Sequence, residues 1–320
     1  MNRRFALGVA LILSMAGSAG AQNWPAKPVT MIVPFAAGTT SDVIGRSLAE
    51  YLSEKIGQNV VIDNRGGAGG NIGALAVAKA APDGYTLLLA TTGPAATNKL
   101  MYKSLGFDPQ SDFAPIALIG KSPVIIVAKM EGQVKSLRDL IDAAKAKPET
   151  LSAGYPGNGT LGHITGLLLQ DRAGVKMNQA QYRGSSQIMT DLLGGHIDVG
   201  MDSMSGYIPT IKDGKLRALA IGSSTRWPGL PDTPTVSEAG LPDFEATVWY
   251  ALLAPKGAPA DIVQRLNVVT NDYLKTDKAK ALFADIGFQA AGGSPGDLKA
   301  FVDAEIAKWA PVIKGANISF

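Results

Sequence analysis

Short apolar runs alternate with stretches of helical period along this chain, and that alternation limits its fold more than any other feature. Residues 29–34 read as a strand, and 42–56 carry apolar residues at helical spacing. A second strand over 60–63 leads into the cluster Gly66-Gly67-Ala68-Gly69-Gly70, after which Asn71 is expected to cap an alanine-rich helix running to about Ala81. A turn over 82–84 precedes a buried strand over 85–90, and 113–128 form a long apolar run interrupted by Gly120 and Pro123. A second series follows. It opens with a helix capped by Ser136, a strand over 151–154 and a helix over 161–173. A strand over 179–182, a helix over 188–193 and strands over 197–201 and 216–221 continue it. A last strand over 249–254 and helices centred on 262–274, 278–285 and 298–314 close the chain. Such alternation predicts parallel sheets with helices on both faces. Two series joined by one long apolar run predict two α/β lobes linked by a crossing strand. Ligands of such sheets sit beyond the carboxyl ends of the strands, so function is expected in a cleft between the lobes.

Composition narrows the chemistry. With 46% hydrophobic residues the chain is too apolar for disorder. The absence of cysteine excludes a disulfide framework, thiolate zinc and a cysteine nucleophile. His163 and His196 are the only histidines, so a His-built metal site is not expected either, nor any cofactor. Lys+Arg number 30 against 27 acids, but Arg3 and Arg4 fall in a leader; without those two, 28 basic residues face 27 acids. A near-neutral chain lacks the basic face that nucleic acid requires.

The leader is read from Asn2-Arg3-Arg4, an apolar stretch over 5–15, and the small residues Ala19-Gly20-Ala21. Together they predict a cleavable signal peptide over 1–21, cut before Gln22, and export to the periplasm. The apolar stretch is too short for a span of ~20 residues.

Two strand-to-helix loops stand out. The first is Pro34-Phe35-Ala36-Ala37-Gly38-Thr39-Thr40-Ser41-Asp42, and the second Gly154-Tyr155-Pro156-Gly157-Asn158-Gly159-Thr160-Leu161-Gly162-His163. Small residues allow close backbone approach, and the hydroxyls and N–H groups at a helix start suit an anion. One such loop per lobe predicts a cleft that grips an anionic small molecule from both sides.

The residues also resemble a known family. Asn23-Trp24-Pro25, VTMIVPFAAG and a D-x-x-x-R ending at Arg46 are followed by Asp63-Asn64-Arg65 with GGAGGNIGA, then AKAAPDGYTLLLA. GNGT with His163, Tyr182-Arg183-Gly184, DLLGGHIDVG, GKLRALAIGS, LPDTPTVSEAGLP and LLAPKGAP complete the order. The set is similar to the tripartite tricarboxylate transporter substrate-binding proteins, the TctC-like or Bug family. That resemblance implies two Rossmann-like lobes with a ligand cleft between them, in the manner of type II periplasmic binding proteins. Lobe 1 would comprise 22–122 plus about 243–320, and lobe 2 about 123–242. It implies a monomer without enzymatic activity, which captures a small carboxylate and hands it to membrane permease subunits. A sensing module presenting the same ligand class to a sensor kinase is the alternative, and a periplasmic enzyme a third. Tricarboxylate, dicarboxylate, aromatic acid and amino acid all remain open as ligands. By the resemblance, the first loop contributes Phe35, Ala36, Gly38, Thr39, Thr40 and Asp42, and the second Gly157, Asn158, Gly159, Thr160 and His163. Tyr182 and Gly184 follow at the next strand end, with Thr91, Thr92 and Asp202 as cleft walls. Thr39 stands where a second glycine is common, and Tyr155-Pro156 replaces two small positions, which predicts a bulkier cleft. Ser185, Ser186, Met201 and Met204 fall at variable positions.

Other readings compete at several of these residues. Gly157 to Gly162 matches G-x-G-x-x-G in a strand-to-helix context, but no acid for a ribose ends the next strand. Gly66 to Gly70 is either a permissive turn or a phosphate cradle. His163 either packs locally or touches ligand. His196 with Ser203 and Asp202 sketches a hydrolase triad, without a G-x-S-x-G elbow. Arg183 is either a solvated strand end or the partner of a second carboxylate.

Overall fold

The computed structural model describes residues 24–315 and 318–319. The expected leader over 1–21 and its cut before Gln22 lie outside the described residues.

The strands are β1 (Val29–Val33), β2 (Val60–Asn64), β3 (Thr86–Thr91), β4 (Phe113–Lys129) and β5 (Ser152–Tyr155). Then come β6 (Asn178–Gln181), β7 (Val199–Ser203), β8 (Leu216–Ile221), β9 (Thr247–Pro255) and the short β10 (Gln289–Ala290). Their pairing makes two sheets of the same plan. In the first lobe the order is β2-β1-β3-β9-β4, with β10 on the outer side of β4. In the second it is β6-β5-β7-β4-β8. Strand β4 belongs to both: Phe113 to Pro123 pair with β9, and Val124 to Ala128 pair with β7.

The expectation of all-parallel sheets is corrected. In each lobe the fourth strand runs antiparallel to both neighbours, β9 in the first and the far half of β4 in the second. The cause is the shared strand, which leaves one sheet parallel to β3 and enters the other opposed to β7. The chain returns beside it. Ala246 N–H donates to Gly222 C=O, Gly222 N–H to Val124 C=O and Val124 N–H to Ala246 C=O, at 2.7, 2.7 and 2.9 Å. A Cβ on Gly222 would lie 2.8 Å from the Ala246 oxygen, so only glycine permits this three-strand knot between the lobes.

Packing explains why these runs form strands. In β1, Met31 and Val33 face Ile44, Leu48 and Leu52 of α1 (Thr40–Ile56), while Ile32 faces Ala74, Val77 and Trp249 on the other side. The alternation is that of a strand buried on both faces, and the i, i+4, i+8 spacing of the α1 residues is that of one helical stripe. Each fully buried aliphatic side chain contributes about 1.5–3 kcal/mol. In the second lobe Val124 and Ile126 of β4 face the side of Leu137, Leu140, Ile164 and Leu169, and Ile125 and Val127 face Ile188 and Leu192.

Helix boundaries differ from expectation at informative places. α2 (Asn71–Ala78) is preceded by Gly70 at φ 94°, and Asn71 is its first residue rather than its cap. The Asn71 amide is turned inward, where its Oδ1 accepts from Asn98 Nδ2 at the start of α3 (Asn98–Met101). Ser136 does cap α4 (Leu137–Ala146), accepting from the Asp139 N–H. α5 spans Leu161–Ala173, and α6 spans Ser185–Gly194, three residues longer at its start than its apolar period shows. α7 (Ile208–Lys212), α8 (Ala260–Lys275), α9 (Asp277–Asp285) and α10 (Pro295–Gly315) complete the set.

Candidate functional site

The two lobes face each other across two adjoining cavities. The inner one, about 70 Å3, has room for roughly five waters. From the first lobe it is lined by Phe35, Thr39, Thr40 and Ser41 at the start of α1, by Gly69, by Thr91, Thr92 and Gly93 at the end of β3, and by Val248 and Tyr250 of β9. The second lobe supplies Pro156, Thr160, Leu161, Gly162, Gly184, Ser185, Asp202 and Ser203. Three helix N-termini therefore meet here, those of α1, α5 and α6. The first N–H groups of a helix have no intrahelical partner, and the end carries partial positive charge.

Side-chain caps do not consume all of these donors. Thr39 makes no cap bond; its hydroxyl donates instead to Ala36 C=O at 2.8 Å. Gly184 before α6 has no side chain to cap with. At α5 the Thr160 hydroxyl does cap, accepting from His163 N–H while donating to Gly157 C=O. The Thr92 hydroxyl accepts from Trp249 N–H at 2.9 Å, locking β3 to β9 behind the cavity. Several hydroxyls expected to meet the ligand thus hold the loops in shape.

The outer cavity, about 710 Å3, shares Phe35, Gly69 and Pro156 with the inner one. Gly157, Asn158, Tyr182 and Arg183 of the second lobe line it, opposite Ala36, Asn64, Tyr102 and the run Gly66 to Gly70 of the first. The glycine run is the first lobe's edge there. A Cβ on Gly69 would stand 2.7 Å from the Asn158 carbonyl oxygen, so a side chain would wedge the lobes apart. The Tyr182 hydroxyl is bonded to Asp191 Oδ2 at 2.7 Å; burial first, then that carboxylate, push it up to about 12.

Gly38, Asp42, Gly159 and His163 line neither cavity and stand behind the walls. Asp42 is buried and accepts from Gly38 N–H at 2.9 Å, Arg46 Nε at 3.0 Å and Asn64 Nδ2 at 3.0 Å. Asn64 Nδ2 also donates to Phe35 C=O. Burial alone would raise the Asp42 pKa, but these donors together bring it below the usual carboxylate value. The D-x-x-x-R pair is thus an anchor for the first loop. His163 is buried, with Nδ1 accepting from Gly159 N–H and Nε2 beside Gln179 Oε1 at 3.1 Å. Burial lowers its pKa and Gln179 partly offsets that.

Tyr155 is buried away from the cleft, edge-on to His163 with centroids 5.4 Å apart; only Pro156 narrows the cleft. Met201 and Met204 are core residues. His196 is exposed past the end of α6, outside both cavities.

The expected first loop includes Ser41 without a role of its own, and sequence reasoning assigned no site role to Gly93, Val248 or Tyr250. Tyr250 pairs with Thr91 across β3 and β9, which brings both to the same wall. Burial raises the Tyr250 hydroxyl pKa, and the hydroxyl is hydrogen-bonded to Ser41 at the α1 start. Asp202 is the sole charged residue type lining the inner cavity among the described residues. Its Oδ1 accepts from Ser203 N–H at 2.6 Å and its Oδ2 from Tyr207 O–H at 3.2 Å. Ser205 Oγ, linked to Ser203 Oγ, donates to Thr40 Oγ1 at 3.1 Å and joins the lobes beside the cavity.

Two α/β lobes closed around a chamber of helix N-termini define a solute-binding protein of the periplasmic type. The chain belongs to the family described as the tripartite tricarboxylate transporter family receptor, whose profile matches residues 44–318. Protein BugT of Bordetella pertussis is 36% identical over 318 residues, covering 98% of this chain and 97% of that protein. Among solved structures, R. palustris Rpa4515 with adipate is 39% identical and superposes with a TM-score of 0.88, covering 92% of this chain and 99% of the other. MatC from Rhodopseudomonas palustris with bound malate is 31% identical, with a TM-score of 0.86 and coverages of 91% and 100%. Among the described residues no helix is long and apolar enough to cross a membrane.

Proposed function

We propose that this chain is exported by a cleavable leader and works in the periplasm as a monomeric receptor for a small carboxylate. It releases that acid unchanged to the membrane permease subunits of a tripartite tricarboxylate transporter. Residues 22–122 with about 243–320 form the first lobe and about 123–242 the second, a division supported by the pairing switch of β4 between Pro123 and Val124. The ligand lies in the inner cavity and extends toward the outer one, against Phe35, Thr39, Thr40, Thr91, Thr92, Thr160, Gly184 and Asp202.

The observation that carries this reading is the convergence of three helix N-termini on a chamber that, among the described residues, no lysine or arginine lines. Oriented N–H dipoles favour a carboxylate over its amide, and the bound adipate and malate of two relatives are carboxylates. The test is a thermal-shift panel on protein unfolded and refolded to remove retained ligand. Mono-, di- and tricarboxylates and aromatic acids are each compared with their amides, and neutral sugars serve as controls. At one hundred times its dissociation constant a ligand stabilises by about 2.7 kcal/mol. At least one acid is expected to stabilise where its amide does not. Stabilisation by a sugar alone would overturn the reading.

A further inference from the structure

We infer that Asp202 makes ligand capture proton-linked: a carboxylate enters the inner cavity together with a proton, which is shared between the ligand and the Asp202 side chain. The inference deepens the carboxylate reading above and rests on it.

Asp202 is the last residue but one of β7, paired with Ile125 of β4, and is only 5% exposed. Its oxygens take the Ser203 N–H and the hydroxyls of Tyr207 and Ser185. Ser185 is the first residue of α6, and it lines the inner cavity together with Asp202. A ligand carboxylate drawn to that helix start therefore lies within interaction range of a second carboxyl group. Two carboxylates in one water-poor site do not both ionise unless a cation separates them.

Among the described residues no such cation faces Asp202. Ile125 lies across from it on β4, and Gly162 of α5 backs it, where an added Cβ would be 3.2 Å from the Asp202 Cα. The titratable groups that face it are Tyr207, beyond the end of β7, and Tyr250 of β9, and burial raises both above their ordinary range. His163, also on α5, turns its ring nitrogens to Gly159 and Gln179 instead. Arg46 is committed to Asp42 on the far side of the first loop. Without ligand, burial pushes Asp202 up to about 6, against the lowering by its three donors. Near neutrality the empty site is thus mostly ionised, and a bound acid has to bring the missing proton from solution.

A quantitative expectation follows. If only the protonated site accepts the acid, affinity scales with the protonated fraction and falls roughly 50-fold between about pH 6 and about pH 8. Asp202→Asn imitates the protonated state. Its amide still accepts from Ser203 N–H, and the Ser185 and Tyr207 hydroxyls rotate to accept in turn.

The test is titration calorimetry of the refolded chain with adipate and with malate, at both pH values and in buffers of different ionisation enthalpy. For the wild type, uptake of about one proton per acid at the higher pH is expected. The roughly 50-fold loss of affinity should accompany it. Asp202→Asn should bind with no proton uptake and no pH dependence. Wild-type binding of either acid without proton uptake, at equal affinity at both pH values, would overturn the inference while leaving the carboxylate reading intact. Proton uptake that persists in the Asn variant would also overturn it, by assigning the proton elsewhere. No binding of either acid at either pH, with no stabilisation by any acid of the panel, would remove the reading beneath it, and the inference with it. The wild-type proton count does not depend on whether the variant folds.

Discussion

The Tyr102 hydroxyl donates to the backbone carbonyl of Asn158 across 3.2 Å, tying the end of α3 in one lobe to the loop before α5 in the other. The Ser205–Thr40 bond makes a second tie at the inner cavity. With both formed the lobes are shut, the state that hinge-type closure reaches on binding ligand. The three-strand knot of Val124, Gly222 and Ala246 is the axis that such a motion has available.

If the Tyr102 tie forms only on closure, Tyr102→Phe weakens the closed state without touching the helix N-termini. A partly exposed neutral hydrogen bond contributes about 0.5–1.5 kcal/mol, so ligand release should quicken by about two- to tenfold with the association rate unchanged. Stopped-flow fluorescence with the acid found in the panel would measure both. A variant slower only in association would mean that the tie guides entry rather than holding the lid.

Asp42 tests whether a residue behind the wall controls the wall. It contributes no atom to either cavity but fastens Gly38, Arg46 and Asn64, and through Asn64 the Phe35 carbonyl. Asp42→Ala should lower ligand affinity by roughly tenfold, the worth of losing a charge-assisted hydrogen bond that positions the first loop. Calorimetric titration should show this with a fold that melts cooperatively. Unchanged affinity would mean that β1 and α1 fix the loop unaided.

The sequence announced the first two helix starts because small and hydroxyl residues interrupt a clear change of period, from 2 to 3.6, at Phe35–Asp42 and Pro156–His163. It hid the third. Ser185, Ser186 and Gln187 carry no apolar period, so α6 read as beginning at Ile188, and Gly184 entered the site as a strand end rather than as a helix start. Tyr250 was hidden for another reason. Alternation in β9 shows that Trp249 and Tyr250 face opposite ways, but only the pairing with Thr91, far off in sequence, tells which side is cavity. Trp249 instead turns its indole N–H to Glu305 of α10. The antiparallel strand in each sheet was equally illegible, since strand direction within a sheet is set by long-range pairing and not by local pattern. Asp42 and His163 sat at the right places in the loops, yet whether a polar side chain points into a cleft or braces it from behind is decided by its partners.

The last prediction concerns the unliganded protein, in which two of the buried titratable groups, His163 and Asp202, respond to pH in opposite senses. Burial depresses His163. An unfolded imidazole takes its proton near pH ~6.5, so the stability His163 contributes is complete above that value and is lost as pH falls below it. Burial raises Asp202 to about 6. Unfolded, it titrates near ~3.9, so its contribution is complete below that value and is lost as pH rises through about 6. The Asp202 window spans about two pH units, and at about 1.4 kcal/mol per unit it is worth up to about 3 kcal/mol. Asp202→Asn should therefore gain on the wild type by up to that amount between about pH 4 and about pH 7. Relieved of the opposing term, it should also expose the His163 effect as a steady loss of stability below about pH 6.5. In Asp202→Asn/His163→Gln that loss should be smaller. Urea unfolding across the range measures all three proteins. Parallel stability profiles for wild type and Asp202→Asn would show that the carboxyl titrates in the folded chain as it does in the unfolded one.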